Sequence, residues 1–294
     1  MKKAYLFPGQ GSQIKGMGFS HYQFSETFRK RCDSASEILG YDLTSIMFGD
    51  EDERLSQTIY TQPALFVHAY ARFEMLRHEP DMVAGHSLGE FTALAVAGVQ
   101  SFEELLKVVQ KRAEWMYQAT QQEPGAMLAV IGLEDQQVES ICEELSGEDG
   151  VVVPANFNTV GQVVVSGHEK AIENVTDKAK EAGAKLVKRL PVSGAFHSPL
   201  MASANEPLNK LLDELEFRTP AIPVYSNAVG KGSRDPEELK NNLKNQLMSP
   251  VRWTQTVQNM YDEGARLFVE VGPGNVLQGL TKRAIKNISL AGFD

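Results

Sequence analysis

The chain has 294 residues, with apolar and charged fractions of 42% and 23% that are close to the averages for globular proteins. This length predicts about two domains, or one large α/β domain that carries an insertion. The net charge of −9 argues against nucleic-acid binding, because neutralising phosphates would require a basic face.

Signals for export, membrane insertion and disulfide formation are missing from the sequence. The first apolar run stops at Pro8, which is too short for a signal peptide, and no stretch approaches the ~20 apolar residues that span a bilayer. Cys32 and Cys142 lie far apart, which suggests neither a disulfide framework nor a metal site. We therefore predict a cytoplasmic protein that binds no membrane and no metal.

The first 124 residues show the pattern of an α/β domain. A strand is predicted over 2–7, and a glycine-rich loop follows over 9–18. Apolar residues at helical spacing predict helices over 28–39 and 65–76. A capping box at Ser101 predicts the start of a further helix, which reaches about Thr120.

The pattern changes after Pro124-Gly125, where strands and helices become short. The predicted strands and helices alternate in the order βαββαβ, over 126–132, 134–145, 151–156, 162–166, 170–182 and 185–192. This order is that of the ferredoxin-like split motif. We therefore predict a ferredoxin-like insertion at 125–192 in a larger α/β body made of 1–124 and 193–294. The body resumes at Ser193 and closes with a strand over 266–271 and a helix.

One pentapeptide, Gly85-His86-Ser87-Leu88-Gly89, matches the G-x-S-x-G nucleophile elbow, in which a serine stands on a strained strand-to-helix turn. The exposed Oγ then lies near a helix N-terminus, where backbone N–H groups can hold an oxyanion. The motif alone is a weak signal, but an apolar run at 82–84 precedes it and a helical pattern follows. We therefore predict Ser87 as a nucleophile on an α/β-hydrolase-like body.

A serine at its free pKa needs a base within hydrogen-bond reach. His197 follows a predicted strand end, which suits a catalytic loop residue, whereas His86 would point away from Ser87 on a tight turn. His68 lies on an apolar helical face and is expected to be a satisfied core histidine. The other three histidines lie in polar segments and are expected to be solvated. By elimination the predicted base is His197.

The third member of a catalytic triad is not evident in the sequence. Each aspartate between Ser87 and His197 that could fill the role falls in the predicted insertion, without a site-like context. Two explanations stay open. Either a backbone carbonyl orients the imidazole, or the base is a different residue.

Several stretches together resemble the malonyl-CoA:acyl carrier protein transacylase family, the free-standing acyltransferases of fatty-acid and polyketide synthesis. They occur in order over nearly the whole chain, at 7–13, 61–64, 85–90, 156–165, 196–201, 250–253 and 270–274. The joint match is far more specific than the pentapeptide alone.

The resemblance implies roles for the matched residues. Ser87 would carry the acyl group as an ester, and His197 would act first as general base and then as general acid. The backbone N–H groups of Gln10 and Leu88 would form the oxyanion hole. Arg112 would pair with the free carboxylate of the malonyl group, as a bidentate and permanently charged donor can. Without the resemblance, the expected place of Arg112 is a solvated helix face.

Further matched residues would support the site. The main-chain carbonyl of Gln246 would orient the histidine, which would account for the missing aspartate. Asn156 and Asn158 match a pair of strand-end asparagines that face the active-site gorge. Phe196, directly before the histidine, resembles the malonyl-selective members of the family.

The sequence thus predicts ping-pong transfer of malonyl from malonyl-CoA to the phosphopantetheine thiol of an acyl carrier protein, through a malonyl-O-serine intermediate. The CoA thioester is a substrate, and no tightly bound cofactor is expected. Two alternatives stay open, an acyl hydrolase that clears acyl groups from carrier proteins and a non-catalytic carrier-protein-binding module. With an ordinary pKa of about 6.5 for His197, the rate should fall on acidification between pH 8 and 5.

An acidic carrier protein would need basic residues on its partner. The candidates, for each of which ordinary solvated charge is an equal alternative, are Lys185, Lys188, Arg189, Lys282, Arg283 and Lys286.

Overall fold

The structure, a computed structural model, describes residues 2–49, 53–192 and 194–294. The predicted re-entry to the body at Ser193 lies outside the described residues. In chain order the strands are β1 (Lys2–Phe7), β2 (Met82–Gly85), β3 (Ala126–Ile131), β4 (Val152–Thr159), β5 (Gln162–Gly167), β6 (Leu186–Arg189), β7 (Val224–Tyr225), β8 (Gly232–Ser233), β9 (Ala265–Val271) and β10 (Ser289–Phe293).

The strands alternate with α-helices along the whole chain. They are α1 (Phe19–Phe24), α2 (Glu26–Leu39), α3 (Leu43–Phe48), α4 (Thr58–Glu74), α5 (Gly89–Val96), α6 (Phe102–Gln122), α7 (Asp135–Leu145), α8 (Glu169–Glu181), α9 (Ala202–Asp213), α10 (Pro236–Gln246), α11 (Trp253–Asp262) and α12 (Val276–Ala284). Short 3₁₀ turns precede α4 and α9.

The larger sheet has six strands in the order β10-β9-β1-β2-β7-β8, of which all but β8 run parallel to their neighbours. Its central strand β1 is buried on both faces, as a parallel sheet between helical layers requires. Ala4 and Leu6 face a core that contains residues of α11 and α12, and Tyr5 and Phe7 face the layer of α2, α4, α5 and α6. This alternation follows from the two-residue period of a strand.

The smaller sheet is antiparallel, with the strand order β4-β5-β3-β6. Leu128 and Val130 of β3 pack with α7 and α8 in a core of their own, while Met127 and Ala129 on the opposite face join the core of the large body. Its two helices and four strands give the ferredoxin-like topology, so the predicted α/β class is confirmed. The domain boundaries at 124/125 and 192/193 stay a prediction.

Pairing of β1 with β2 places two loops side by side. Phe7 and Gly85, the last residues of these strands, are register partners, and the Phe7 carbonyl accepts the backbone N–H of His86 at 3.0 Å. The carboxyl ends of parallel strands are where α/β folds build their sites. The glycine-rich loop and the pentapeptide therefore meet at one edge of the sheet.

Strands β7, β8 and β10 did not emerge from the sequence. The first two contain two residues each, and Ser289–Phe293 lacks the β-branched residues that mark a strand. The local signals for α6 and β1 were sufficient, since Ser101 Oγ accepts the Glu104 N–H at 3.2 Å as a helix cap.

Across the described ranges, the helices are all too short or too polar to serve as a membrane span.

Candidate active site

The turn at Ser87 is possible only because glycines flank it. Ser87 has φ 50°, in the left-handed region that non-glycine residues rarely occupy. A Cβ on Gly85 would lie 1.8 Å from the Gly89 backbone, and a Cβ on Gly89 would lie 2.0 Å from the Phe7 carbonyl oxygen. Strand, turn and helix α5 are thus in backbone contact, which holds the Ser87 side chain out from the turn.

His197 contacts Ser87 directly. Its Nε2 lies 2.8 Å from Ser87 Oγ, and it also adopts a left-handed backbone conformation, with φ 57°. On the other side of the ring, Nδ1 lies 3.0 Å from the Gln246 carbonyl oxygen and 3.2 Å from that of Ser249. Carbonyls only accept, so Nδ1 carries the hydrogen and Nε2 is left to accept the proton of Ser87.

Among the residues that the structure describes, two main-chain carbonyls and no carboxylate therefore orient the imidazole. This geometry favours the first of the two explanations for the missing aspartate. Burial, followed by the field of Arg112, lowers the pKa of His197 to about 3. The ring therefore stays neutral, and able to act as a base, at pH values well below the ordinary pKa of about 6.5 that was assumed from the sequence.

Arg112 lies beside Ser87 and lines the pocket around it. It is 1% exposed, so the solvated helix face expected from the sequence alone is wrong. Its NH2 group donates to Ser87 Oγ at 3.2 Å and to Gln246 Oε1 at 3.1 Å, and its NH1 group donates to Gln62 Oε1.

No carboxylate among the described residues lies within ion-pair distance of Arg112, and its Nε–H has no hydrogen-bond partner there. Burial lowers its pKa to about 10, which still leaves the guanidinium charged at neutral pH. A buried cation without a direct counter-ion is costly, and such sites are more often functional than structural.

A chain of amides and hydroxyls joins Arg112 to the glycine-rich loop. Gln62 Nε2 donates to Thr58 Oγ1 at 2.9 Å, and Thr58 Oγ1 donates to Gln10 Oε1 at 2.8 Å. The backbone N–H groups of Gln10 and Leu88 have no acceptor among the described residues, and both residues line the Ser87 pocket. Two free N–H groups beside a nucleophile suit a developing oxyanion.

The pocket around Ser87 is narrow, with a volume of about 90 Å³. Phe196 and Asn156 line it together with Ser87, Arg112 and His197. Asn156 also lines an adjoining cavity of about 380 Å³, which reaches α12. A small pocket that contains the Arg112 cation thus adjoins a wider cavity, here called the channel.

The neighbouring polar residues of the channel also have partners. His86 turns away from Ser87, as expected, and its Nε2 lies 2.9 Å from Asn158 Oδ1.

Asn227 is a residue of the site that the sequence did not reveal. Its Oδ1 accepts the Ser87 backbone N–H at 2.6 Å, and its Nδ2 donates to the Gly85 carbonyl at 2.7 Å. It follows β7, whose pairing with β2 brings it beside the turn. Because β7 carries almost no sequence signal, no pattern could have placed Asn227 here. The sequence marks Gln62 only as part of the matched stretch 61–64 and assigns it no role of its own.

His68 is buried, as expected, but it is not a satisfied histidine. Both ring nitrogens lack hydrogen-bond partners among the described residues, and Nε2 is 3.5 Å from Asp294 Oδ1. Burial lowers its pKa to about 3, so it packs as a neutral ring. It belongs to the core and not to the Ser87 pocket.

Within the described part of the chain, no group of three or more His, Cys, Asp or Glu residues is arranged to hold a metal ion.

The chain is similar in sequence to known proteins over nearly its whole length. A family model described as an acyl transferase domain matches residues 4–292. The malonyl CoA-acyl carrier protein transacylase of Staphylococcus aureus (strain MRSA252) is 41% identical over 290 residues, which cover 98% of this chain and 94% of that protein. The protein of the same name from Bacillus subtilis (strain 168) is 39% identical over 296 residues, covering 99% and 93%.

Solved structures give the same result. An acyl carrier protein S-malonyltransferase from Vibrio cholerae superposes with a TM-score of 0.94 at 42% identity, covering 99% of this chain and 96% of that one. A malonyl-transacylase in complex with its holo type II polyketide synthase acyl carrier protein has a TM-score of 0.94 at 37% identity, covering 99% and 95%.

The lowered pKa of His197 predicts how Ser87 reacts with a serine-directed fluorophosphonate. The labelling rate should stay nearly constant from pH 8 to 5, because His197 remains neutral over this range. With an ordinary pKa of 6.5, only ~3% of the ring would be neutral at pH 5, and the rate would fall about 30-fold. Labelling rates measured by intact mass across this range separate the two cases.

Arg112→Met provides the control, since it removes a cause of the low pKa. The loss of labelling should then begin at a higher pH than in the unaltered protein. Half-loss of labelling near pH 6.5 in the unaltered protein would contradict the assignment of a pKa of about 3 to the base.

Proposed function

The chain belongs to the malonyl CoA-acyl carrier protein transacylase family of acyl transferase domains, and we propose that it moves malonyl from malonyl-CoA to the phosphopantetheine thiol of an acyl carrier protein. One observation carries this proposal, the buried guanidinium of Arg112, which lies 3.2 Å from Ser87 Oγ and has no direct carboxylate partner among the described residues. A malonyl thioester differs from an ordinary acyl thioester by a terminal carboxylate, which this guanidinium can bind.

In the first half-reaction His197 Nε2 takes the proton of Ser87 Oγ as Oγ attacks the thioester carbonyl. The backbone N–H groups of Gln10 and Leu88 hold the oxyanion of the tetrahedral intermediate. The C–S bond then breaks, and the imidazolium of His197 gives its proton to the departing thiolate. The products are CoA and malonyl-O-Ser87.

In the second half-reaction the pantetheine thiol of the carrier protein enters the same channel. His197 takes the thiol proton, the sulfur attacks the malonyl ester, and Ser87 Oγ leaves with the proton returned by His197. The Nδ1 contacts with the Gln246 and Ser249 carbonyls hold the ring in the tautomer that both steps need. Over the whole cycle the thioester bond to CoA is broken, a thioester bond to the carrier protein is formed, and Ser87 and His197 return to their starting protonation states.

Two alternative functions are less well supported. A hydrolase of varied acyl chains would gain nothing from a buried arginine that selects a carboxylate. A non-catalytic binding module would not need Ser87 and His197 in contact at 2.8 Å. The acceptor is further supported by the similar malonyl-transacylase that was solved with a holo acyl carrier protein bound.

The proposed reaction also bears on the cofactor requirement and the location of the enzyme. The reaction described here uses only side chains, backbone N–H groups and the CoA thioester, so we propose that it needs no tightly bound cofactor. We also propose a cytoplasmic location, where malonyl-CoA and carrier proteins would be its substrates.

Incubation with malonyl-CoA alone is the first test. Intact mass should rise by one malonyl group, and the adduct should be absent in Ser87→Ala and hydrolyse only slowly. Rapid CoA release without an adduct would favour the hydrolase, and neither release nor adduct would favour the binding module.

Replacement of Arg112 tests the selection of malonyl. Arg112→Ala should lower malonyl transfer by about 10²- to 10³-fold, because a buried carboxylate is left without its cation, and should retain more acetyl transfer. Rates of adduct formation from malonyl-CoA and acetyl-CoA measure both effects. Lys111→Ala, which removes an exposed cation from the same helix, is the matched control. An unchanged preference for malonyl in Arg112→Ala would exclude this role.

The carrier protein is proposed to dock on the α12 basic cluster, which consists of Lys282 and Arg283 in the last turn of α12 and Lys286 just after it. Arg283 lines the channel that leads towards the Ser87 pocket, and the cluster forms no ion pair among the described residues. Arg189, another candidate, is paired with Glu169, so its charge is partly offset. The α12 basic cluster therefore offers three cations without an ion pair among the described residues, one of which lines the channel.

A charge reversal tests this docking surface. Lys282→Glu combined with Lys286→Glu should raise the KM for the carrier protein by about tenfold and flatten its salt dependence. Formation of the malonyl adduct, which needs no carrier protein, should change much less. Lys30→Glu combined with Lys210→Glu, two exposed lysines of α2 and α9, controls for the same four-unit change in net charge. An unchanged KM would rule out the cluster as the docking site.

A further inference from the structure

Glu90 is a buried carboxylate to which the reaction above assigns no role. It lies in the first turn of α5, directly after the Ser87 turn, and is 1% exposed. Arg112 is the charged group whose field acts on it, but no cation of the described residues forms an ion pair with it. Buried carboxylates are rare unless they are paired, so the contacts of Glu90 need an explanation.

Its contacts converge on the two residues that hold the Ser87 turn. Glu90 Oε2 accepts a hydrogen bond from Gln246 Nε2 at 2.7 Å and another from the Asn227 backbone N–H at 3.1 Å. Asn227 in turn accepts the Ser87 N–H, and Gln246 Nε2 also donates to the Ser87 carbonyl at 3.0 Å. The carboxylate is thus a common acceptor behind the nucleophile.

The side-chain amide of Gln246 lies between Glu90 and Arg112. With Nε2 directed to Glu90, Oε1 accepts from the Arg112 NH2 group at 3.1 Å. A flipped amide would direct its NH2 group at the guanidinium, donor against donor, and its oxygen at the carboxylate, acceptor against acceptor. Glu90, together with the Ser87 carbonyl, therefore determines which end of the amide meets Arg112.

On the basis of the function proposed above, we propose that Glu90 is a positioning residue for malonyl selection. Through the Gln246 amide it orients the Arg112 guanidinium towards the carboxylate of the acyl group, without touching the substrate. Burial raises the pKa of Glu90 to about 7, against the opposing effects of the hydrogen bonds that it accepts and of the Arg112 charge, so part of the population is protonated at neutral pH. An acceptor oxygen at this position, more than a full negative charge, is then what holds Gln246.

Three substitutions separate the acceptor from the charge. Glu90→Gln removes the charge and keeps an oxygen that can accept both hydrogen bonds. Glu90→Met has a similar length and no acceptor, and Glu90→Asp keeps the charge but withdraws it from Gln246. The readout is the ratio of the adduct formation rates with malonyl-CoA and acetyl-CoA, which does not depend on the fraction of folded protein.

The ratio should fall about tenfold in Glu90→Met, as expected when a buried amide donor loses its acceptor, and should stay within about threefold in Glu90→Gln. Glu90→Asp should follow Glu90→Met, and it carries the test if Glu90→Met does not fold. An unchanged ratio in folded Glu90→Met or Glu90→Asp would overturn the proposal, and so would an equal fall in Glu90→Gln. Absence of a malonyl adduct in the unaltered enzyme would instead disprove the proposed function itself.

Discussion

The site is organised by the need to keep one cation inside the protein. Arg112 is 1% exposed, and desolvation of a guanidinium must be offset by groups that accept its hydrogen bonds. The oxygens of Gln62, Gln246 and Ser87 provide this, and each of them is also tied to a working part of the site. Gln62 leads through Thr58 to the glycine-rich loop, and Gln246 leads to both His197 and Glu90.

Backbone geometry supplies the second constraint. Ser87 and His197 both occupy left-handed conformations, which cost of order 1–3 kcal/mol each and persist only where the surroundings hold them. Ser87 is held by its flanking glycines and by Asn227, and the imidazole of His197 is held by two carbonyl groups. These holding contacts come from residues far apart in the sequence, at 85–89 and 227–249, so the pair can form only when the large sheet has assembled.

Residues that act through local sequence were predictable, whereas those that act through topology were not. The flanking glycines predict the turn at Ser87, and elimination among the six histidines identifies His197 as the base. The strands and helices of the antiparallel sheet could also be predicted, since they carry clear periodicity. Asn227 and Glu90 acquire their roles only when the two-residue strand β7 pairs with β2, and a strand of this length has no detectable period. Burial of Arg112 depends on the packing of α6, which helical spacing alone does not settle.

The same cation that would select the substrate also acts on the base. After burial itself, the field of Arg112 is the largest cause of the lowered pKa of His197, which keeps the ring neutral but makes it a weaker base. In the proposed reaction a malonyl carboxylate beside Arg112 offsets that field, so His197 becomes more basic when this substrate is bound. An acetyl group brings no charge and leaves His197 as it was. The guanidinium would then favour malonyl twice, once by direct pairing and once through the basicity of the residue that activates Ser87.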